Sequence, residues 1–280
     1  MTTTTMIDGS DLSHGKDGPQ LDHPHTNRKL RALVTLPPVQ HSASTSISVP
    51  TLPPQGVFVT GDKEVDAVLW LRDVIRTGDP TLISKALEAA KLIKTPLKDI
   101  ADRYRNYLVA KNPGNWTAAF ATLGFDDLEG LAKTSVEKLT RQHEARARFG
   151  DTLHDDTPAE LFAIEALAGL KPSKNFGELD ERQVDKRFLA NPDLMPNTLN
   201  DCLYELAYWH DLYWLRNAFG CCDPGPQAYA RERFVFRSLA NIPARTKHEA
   251  LAVYQYLKDR DGMDEAETDG ILLNLIGGQP

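Results

Sequence analysis

The sequence predicts an all-α protein, an irregular multi-helix bundle of about ten helices behind a disordered N-terminal tail. Three observations predict it. Residues that open helices (Asp, Thr, Asp-Pro, Thr-Pro) recur from Asp62 to Asp264. Between them, apolar side chains return at three- and four-residue spacing. No run shows the period-two alternation of a half-buried strand.

Asp62 caps a helix to Thr77 whose inner face is Val65, Val68, Leu69, Leu71 and Ile75, stopped by Gly78. Asp79-Pro80 opens the next, apolar through Leu82, Ile83, Ala86, Leu87, Ala90 and Ile93. Proline suits a first helical position because its missing N–H would have no partner there. Thr95-Pro96 repeats the device for Leu97, Ile100, Ala101, Tyr104 and Leu108. After the turn Asn112-Pro113-Gly114-Asn115, a short helix is expected over Trp116–Leu123. Asp126 caps a long helix to Phe149, and Thr157-Pro158 starts one that ends at Gly169. Further helices are expected over 178–190, Thr198–Phe219, Pro226 to Asn241, Thr246 to Asp259 and Asp264 to Ile276. Short connections make most neighbours antiparallel.

The organisation changes near residue 55. Residues 1–55 contain no Phe, Tyr, Trp or Glu and are rich in Ser, Thr, Pro and His. Such a segment buries too little apolar surface to offset its chain entropy, so a disordered tail is expected. One island within it, Lys29-Leu30-Arg31-Ala32-Leu33-Val34 with Leu36, has the makeup of a segment that orders on contact. The globular part spans 57–277 as one core or two, any division falling near 170–196.

Charge and cysteine content exclude several classes. The chain carries 32 Lys+Arg against 39 Asp+Glu, a net charge of −7. The tail is neutral (Lys16, Arg28, Lys29, Arg31 against Asp8, Asp11, Asp17, Asp22), so the globular part holds all the excess acid. That balance opposes a phosphate backbone. Leu97–Leu108 with Trp116–Leu123 resembles a helix-turn-helix only in outline, since Trp116–Leu123 has no Lys or Arg to read a base. The basic stripe Lys133, Lys138, Arg141, His143, Arg146 and Arg148 is interrupted by Glu137 and Glu144, the mark of a solvated face with i,i+4 pairs. No stretch is long enough for a membrane span. Three cysteines are too few for a disulfide framework, and a reducing, cytoplasmic setting is expected. Export through an unfolded N-terminal segment is an alternative.

Chemistry is sparse. Cys202, Cys221, Cys222 and His210 are the soft-ligand residues, but adjacent cysteines cannot close a tetrahedral zinc site, so no metal or cofactor is expected. His143-Glu144 has Ala147 where a zincin needs histidine, and Asp259 to Asp264 has its glycine at the wrong place for a calcium loop. No P-loop, G-x-G-x-x-G or G-x-S-x-G occurs. The remaining cluster lies on the helix from Thr198 to Phe219. Glu205, His210 and Asp211 are the catalytic candidates there, because a carboxylate and an imidazole in apolar surroundings make acid–base pairs. Tyr204, Tyr208, Trp209, Tyr213 and Trp214 are its candidate binding residues, with packing in the core as the stronger reading. His210 follows Leu203 and Leu206 by seven and four residues. It is therefore expected to face the same apolar side, neutral, with a partner from another helix or the backbone.

These readings lean away from an enzyme. They favour a non-enzymatic helical module that binds another protein, with a delivered effector or a small-ligand pocket around Glu205, His210 and Asp211 as alternatives.

Overall fold

The computed structural model describes residues 26–40, 51–54, 60–171, 179–220, 223–260 and 262–277. Among them are eleven α-helices and no strand, as the sequence predicts. They are α1 (Arg28–Leu33), α2 (Lys63–Arg76), α3 (Pro80–Ala90), α4 (Leu97–Lys111), α5 (Leu128–Phe149) and α6 (Pro158–Ala166). The series continues with α7 (Glu181–Leu189), α8 (Leu199–Asn217), α9 (Pro226–Ser238), α10 (Lys247–Asp259) and α11 (Thr268–Leu275). Trp116–Thr122, expected as an ordinary short helix, winds as a tighter 3-10 segment.

Most helix starts are where the capping residues put them. Asp62 accepts from the N–H groups of Glu64 and Val65, and Asp79 from those of Thr81 and Leu82. Thr157 and Glu160 form a reciprocal capping box, and Thr198 and Thr246 cap α8 and α10. Each such cap stabilises its helix by about 1 kcal/mol. The last helix, expected from Asp264, begins at Thr268, after a 3-10 turn over Gly262–Asp264, and two other starts shift by one residue. Asp127, not Asp126, caps α5. Pro96 occupies the cap of α4, and the Thr95 hydroxyl donates instead to Glu64 Oε1 at 2.8 Å, tying the start of α4 to that of α2.

The N-terminal helices pack around α2. One face of it meets α3 and α5 through Leu71, Val74 and Ile75; another meets α4 and Phe125 through Val65, Val68 and Leu69. Gly78 makes this approach possible. It sits at φ +74, and a Cβ there would stand 2.7 Å from both Ser135 O and Leu139 Cβ of α5.

Helices α6 to α11 share a single apolar cluster that includes Ala163, Leu167, Phe188, Leu199, Leu206, Val235, Leu239, Val253, Leu257 and Ile271. Val184 and Phe188 of α7 belong to this cluster together with residues of α6 before it and α8 after it. Helix α8 is central to it and also touches α5, which joins the two halves.

The expected tail is partly a structural element. Residues 26–40 are packed rather than loose: α1 lies on α8, with Leu30 fully buried and Val34 nearly so. Tyr204 Oη meets Thr35 Oγ1 at 3.0 Å, Arg148 Nη1 donates to Pro37 O at 2.8 Å, and Gln40 N donates to Ala147 O at 2.8 Å. The apolar island read from the sequence thus finds its surface within the chain. Residues 51–54 are described and form no helix; the other parts of the expected disordered segment, 1–25, 41–50 and 55, lie outside the described residues.

Burial makes a direct contrast available. Leu206 is 2 % exposed at the centre of α8, whereas Lys138 stands on the outer face of α5. Leu206→Ala should cost about 2–5 kcal/mol in denaturant unfolding, and Lys138→Ala less than about 0.5 kcal/mol. Equal costs would contradict this packing.

Candidate functional site

Helix α8 carries two fully buried carboxylates one turn apart, Asp201 and Glu205. Water cannot reach either, so each must be satisfied by protein donors. Asp201 accepts from Arg31 Nε at 2.9 Å and from the backbone N–H groups of Asn27 and Asn197, both at 3.2 Å. Glu205 takes a fork of bonds from Arg231 of α9, Nε to Oε1 at 2.6 Å and Nη2 to Oε2 at 2.8 Å. Trp209 Nε1 also donates to Glu205 Oε1 at 3.3 Å.

Arg231 is itself only 1 % exposed. Its guanidinium lies 5.0–5.5 Å from the ring centres of Phe162, Phe188 and Phe234, and Nη2 donates to Leu194 O at 2.9 Å. Glu205 is thus committed to a dry, fully partnered ion pair. The sequence did not single out Arg231. Its signal was an arginine at the apolar spacing of α9, three residues after Ala228 and four before Val235.

The catalytic candidates are not brought together. Asp211 is exposed on the outside of α8 and His210 is half-buried, while Glu205 points into the core. His210 also departs from expectation in its partners, which are on its own helix. Trp214 Nε1 donates to Nε2 at 2.7 Å, and Nδ1 stands 3.2 Å from Asp211 Oδ1. An accepting Nε2 places the proton on Nδ1, so these contacts select one neutral tautomer.

The aromatic set divides. Tyr208 and Trp209 are core, packed edge to face with Leu30 and Leu212 around them. Tyr204 is half-buried beneath the Arg31 guanidinium, 4.9 Å from its ring centre. Tyr213 and Trp214, by contrast, are 38 % and 39 % exposed and pack edge to face against each other. Phe219 and Tyr229, unmarked in the sequence reading, are 37 % and 47 % exposed nearby on the α8–α9 hairpin. The basic stripe of α5 serves these rings and is not simply a solvated face. Arg141 lies 4.5 Å from the Trp214 ring centre and Arg146 lies 5.1 Å from that of Phe219. The expected pair Glu144–Arg148 does form, at 2.8 Å.

A groove of about 800 Å³ runs along α9 at this end of the hairpin. Trp209, His210 and Tyr213 of α8 form one wall, Tyr229 and Glu232 stand on α9, and Glu160 and Val184 close the far side. Its arginines are already neutralised. Arg216 forks onto Glu160 at 2.5 and 2.9 Å, Arg233 bonds to Glu265 and Glu267, and Arg237 to Glu181 and Asp185. Burial alone would raise the Glu160 pKa, but the Arg216 fork and the Thr157 N–H hold it below the ordinary value. Glu232 has no such fork; burial pushes its pKa up, with the Arg233 charge opposing.

Among the described residues no group of three His, Cys, Asp or Glu is placed to hold a metal ion. Cys202 is sealed in the core, where burial and then the charges of Glu205 and Asp201 raise its thiol pKa well above the usual value and leave it unreactive. Cys221 and Cys222 lie outside the described residues. No described helix is long and apolar enough to cross a membrane. Comparison of the chain with protein families, curated proteins and solved structures finds no match.

Tyr208 supplies a pH test of this packing. Its hydroxyl donates to Thr157 Oγ1 at 2.7 Å, and burial pushes its pKa up to about 12 against the partial relief of that bond. The folded value lies above the unfolded one, so the stabilisation is complete below about pH 10 and is lost as pH rises through the folded pKa. Tyr208→Phe should therefore lose less stability than wild type between about pH 9.5 and 11.5 in urea unfolding. Identical slopes would place Tyr208 in water.

Proposed function

We propose that the chain is a non-enzymatic helical interaction module that captures another protein on the aromatic end of its α8–α9 hairpin. One observation carries this reading: Tyr213, Trp214, Phe219 and Tyr229 are each more than one-third exposed at that end. Large rings left in water at this density are costly to solubility, and Tyr, Trp and Arg are the residues that dominate binding energy at protein interfaces. Arg141 and Arg146 lie against two of the rings and hold them in fixed orientation, which lowers the entropy lost on docking. The groove beside Tyr213 and Tyr229 provides a recess for a partner side chain.

The burial of Glu205 against Arg231 supports the non-enzymatic part of the reading, since that candidate is committed to an ion pair in the core and does not share a site with His210. The docking island of the N-terminal segment has an intramolecular role here, on α8.

Photo-crosslinking tests the proposal. A benzophenone side chain at Tyr213 or Tyr229 of the full chain should form an adduct with one partner protein in cells, whereas the same group at exposed Lys85 of α3 should not. Trp214→Ala with Tyr229→Ala should weaken capture by about 30-fold or more while leaving the melting temperature nearly unchanged. Equal labelling at Lys85, or capture indifferent to the paired truncation, would refute the assigned surface.

A further inference from the structure

We propose that the α10–α11 hairpin is a self-association face that takes a second copy of this chain in antiparallel register. This inference is independent of the aromatic surface and stands if that reading fails.

The two helices turn their buried sides inward through Val253, Leu257 and Ile271, all fully buried. Their outer sides carry matching stripes. On α10 the residues at positions i, i+3, i+4 and i+7 are Lys247, Ala250, Leu251 and Tyr254. At the same spacing along α11 and its C-cap they are Asp269, Leu272, Leu273 and Ile276. All eight line one groove of about 790 Å³. Leu251, Tyr254, Leu273 and Ile276 are 62 %, 44 %, 47 % and 80 % exposed, so the stripe is apolar and uncovered among the described residues. Spacing of this kind is the seam of a packed helix pair, not of a solvated helix.

Charge selects the occupant. Each stripe opens with one ion, cationic on α10 and anionic on α11. Lys247 borders a second recess together with Leu275 and Ile276, so it stands beside the C-terminal end of α11. The hairpin is therefore antiparallel, with Lys247 and Asp269 at opposite ends of the apolar strip. A two-fold axis across the strip brings the Lys247 end of one copy to the Asp269 end of the other, twice. Parallel apposition would instead set like charges together. A surface that is apolar in its middle and oppositely charged at its two ends is complementary to itself, which is what an isologous dimer requires. Among the described residues neither Lys247 nor Asp269 has a salt-bridge partner that would compete.

Sedimentation velocity on the full chain tests this. Wild type should pass from monomer to dimer as concentration rises toward about 100 µM. Leu251→Asp and Leu273→Asp should each leave a monomer with an unchanged helical signal, because both side chains are exposed in the monomer. Lys247→Glu and Asp269→Lys should each weaken the dimer several-fold, to about tenfold, and the two together should restore it. A wild-type monomer at all concentrations, a dimer indifferent to both aspartate variants, or single charge reversals that the double variant fails to rescue would each overturn the proposal.

Discussion

The Glu205–Arg231 pair fixes the C-terminal half of the molecule. Burying either ion alone would cost several kcal/mol, so neither is tolerated there without the other. The guanidinium does more than neutralise. Its fork orients α9 against α8, its faces meet Phe162 of α6, Phe188 of α7 and Phe234 of α9, and its Nη2 also holds the turn at Leu194 while Nη1 meets Met195 Sδ at 3.7 Å. Four helices and a turn are placed by one planar group. An apolar residue of similar volume would pack the same space without setting direction or register, so the pair is best understood as specifying this arrangement.

Asp201, one turn earlier on α8, does the same for the N-terminal segment. It gathers Arg31 and the N–H groups of Asn27 and Asn197, while the Asn27 side chain donates to Asp193 O and Met195 O. A six-residue helix such as α1 has no stability of its own in water. It persists because Leu30 and Val34 are buried and because a dry carboxylate requires its donors. Helix α8 is therefore stapled at its start to residues far ahead of it in sequence and, one turn later, to α9. Its far end, held to α6 by the Arg216–Glu160 fork, presents Tyr213 and Trp214.

Local signals were legible in the sequence. Asp62, Asp79, Thr157 and Thr246 cap the helices they were expected to open, because a cap is an interaction within three residues. Helix α8 was identifiable as central from its apolar surroundings. Long-range pairing was not legible. The island around Leu30 was legible as a segment that orders on contact, but nothing local tells that the surface it needs lies about 170 residues on in the same chain. The same blindness put all five aromatic residues of α8 on one footing. Tyr208 and Trp209 are covered because α1 and α6 lie over them, while Tyr213 and Trp214 stay more than one-third exposed, Trp214 with Arg141 of α5 against its ring. For His210, proximity to Leu206 suggested a buried partner, but Trp214 one turn further on supplies the bond.

The claim that a single buried ion pair sets the packing of α6 to α9 is most directly tested by a double-mutant cycle. Arg231→Met and Glu205→Leu, measured singly by denaturant unfolding, should each cost about 3–5 kcal/mol, since each strands an ion of opposite sign in the core. The double variant should recover most of that loss, giving a coupling of at least about 2 kcal/mol between the two positions. Additive costs, or a single variant as stable as wild type, would show that the two side chains are not bound to one another in the core.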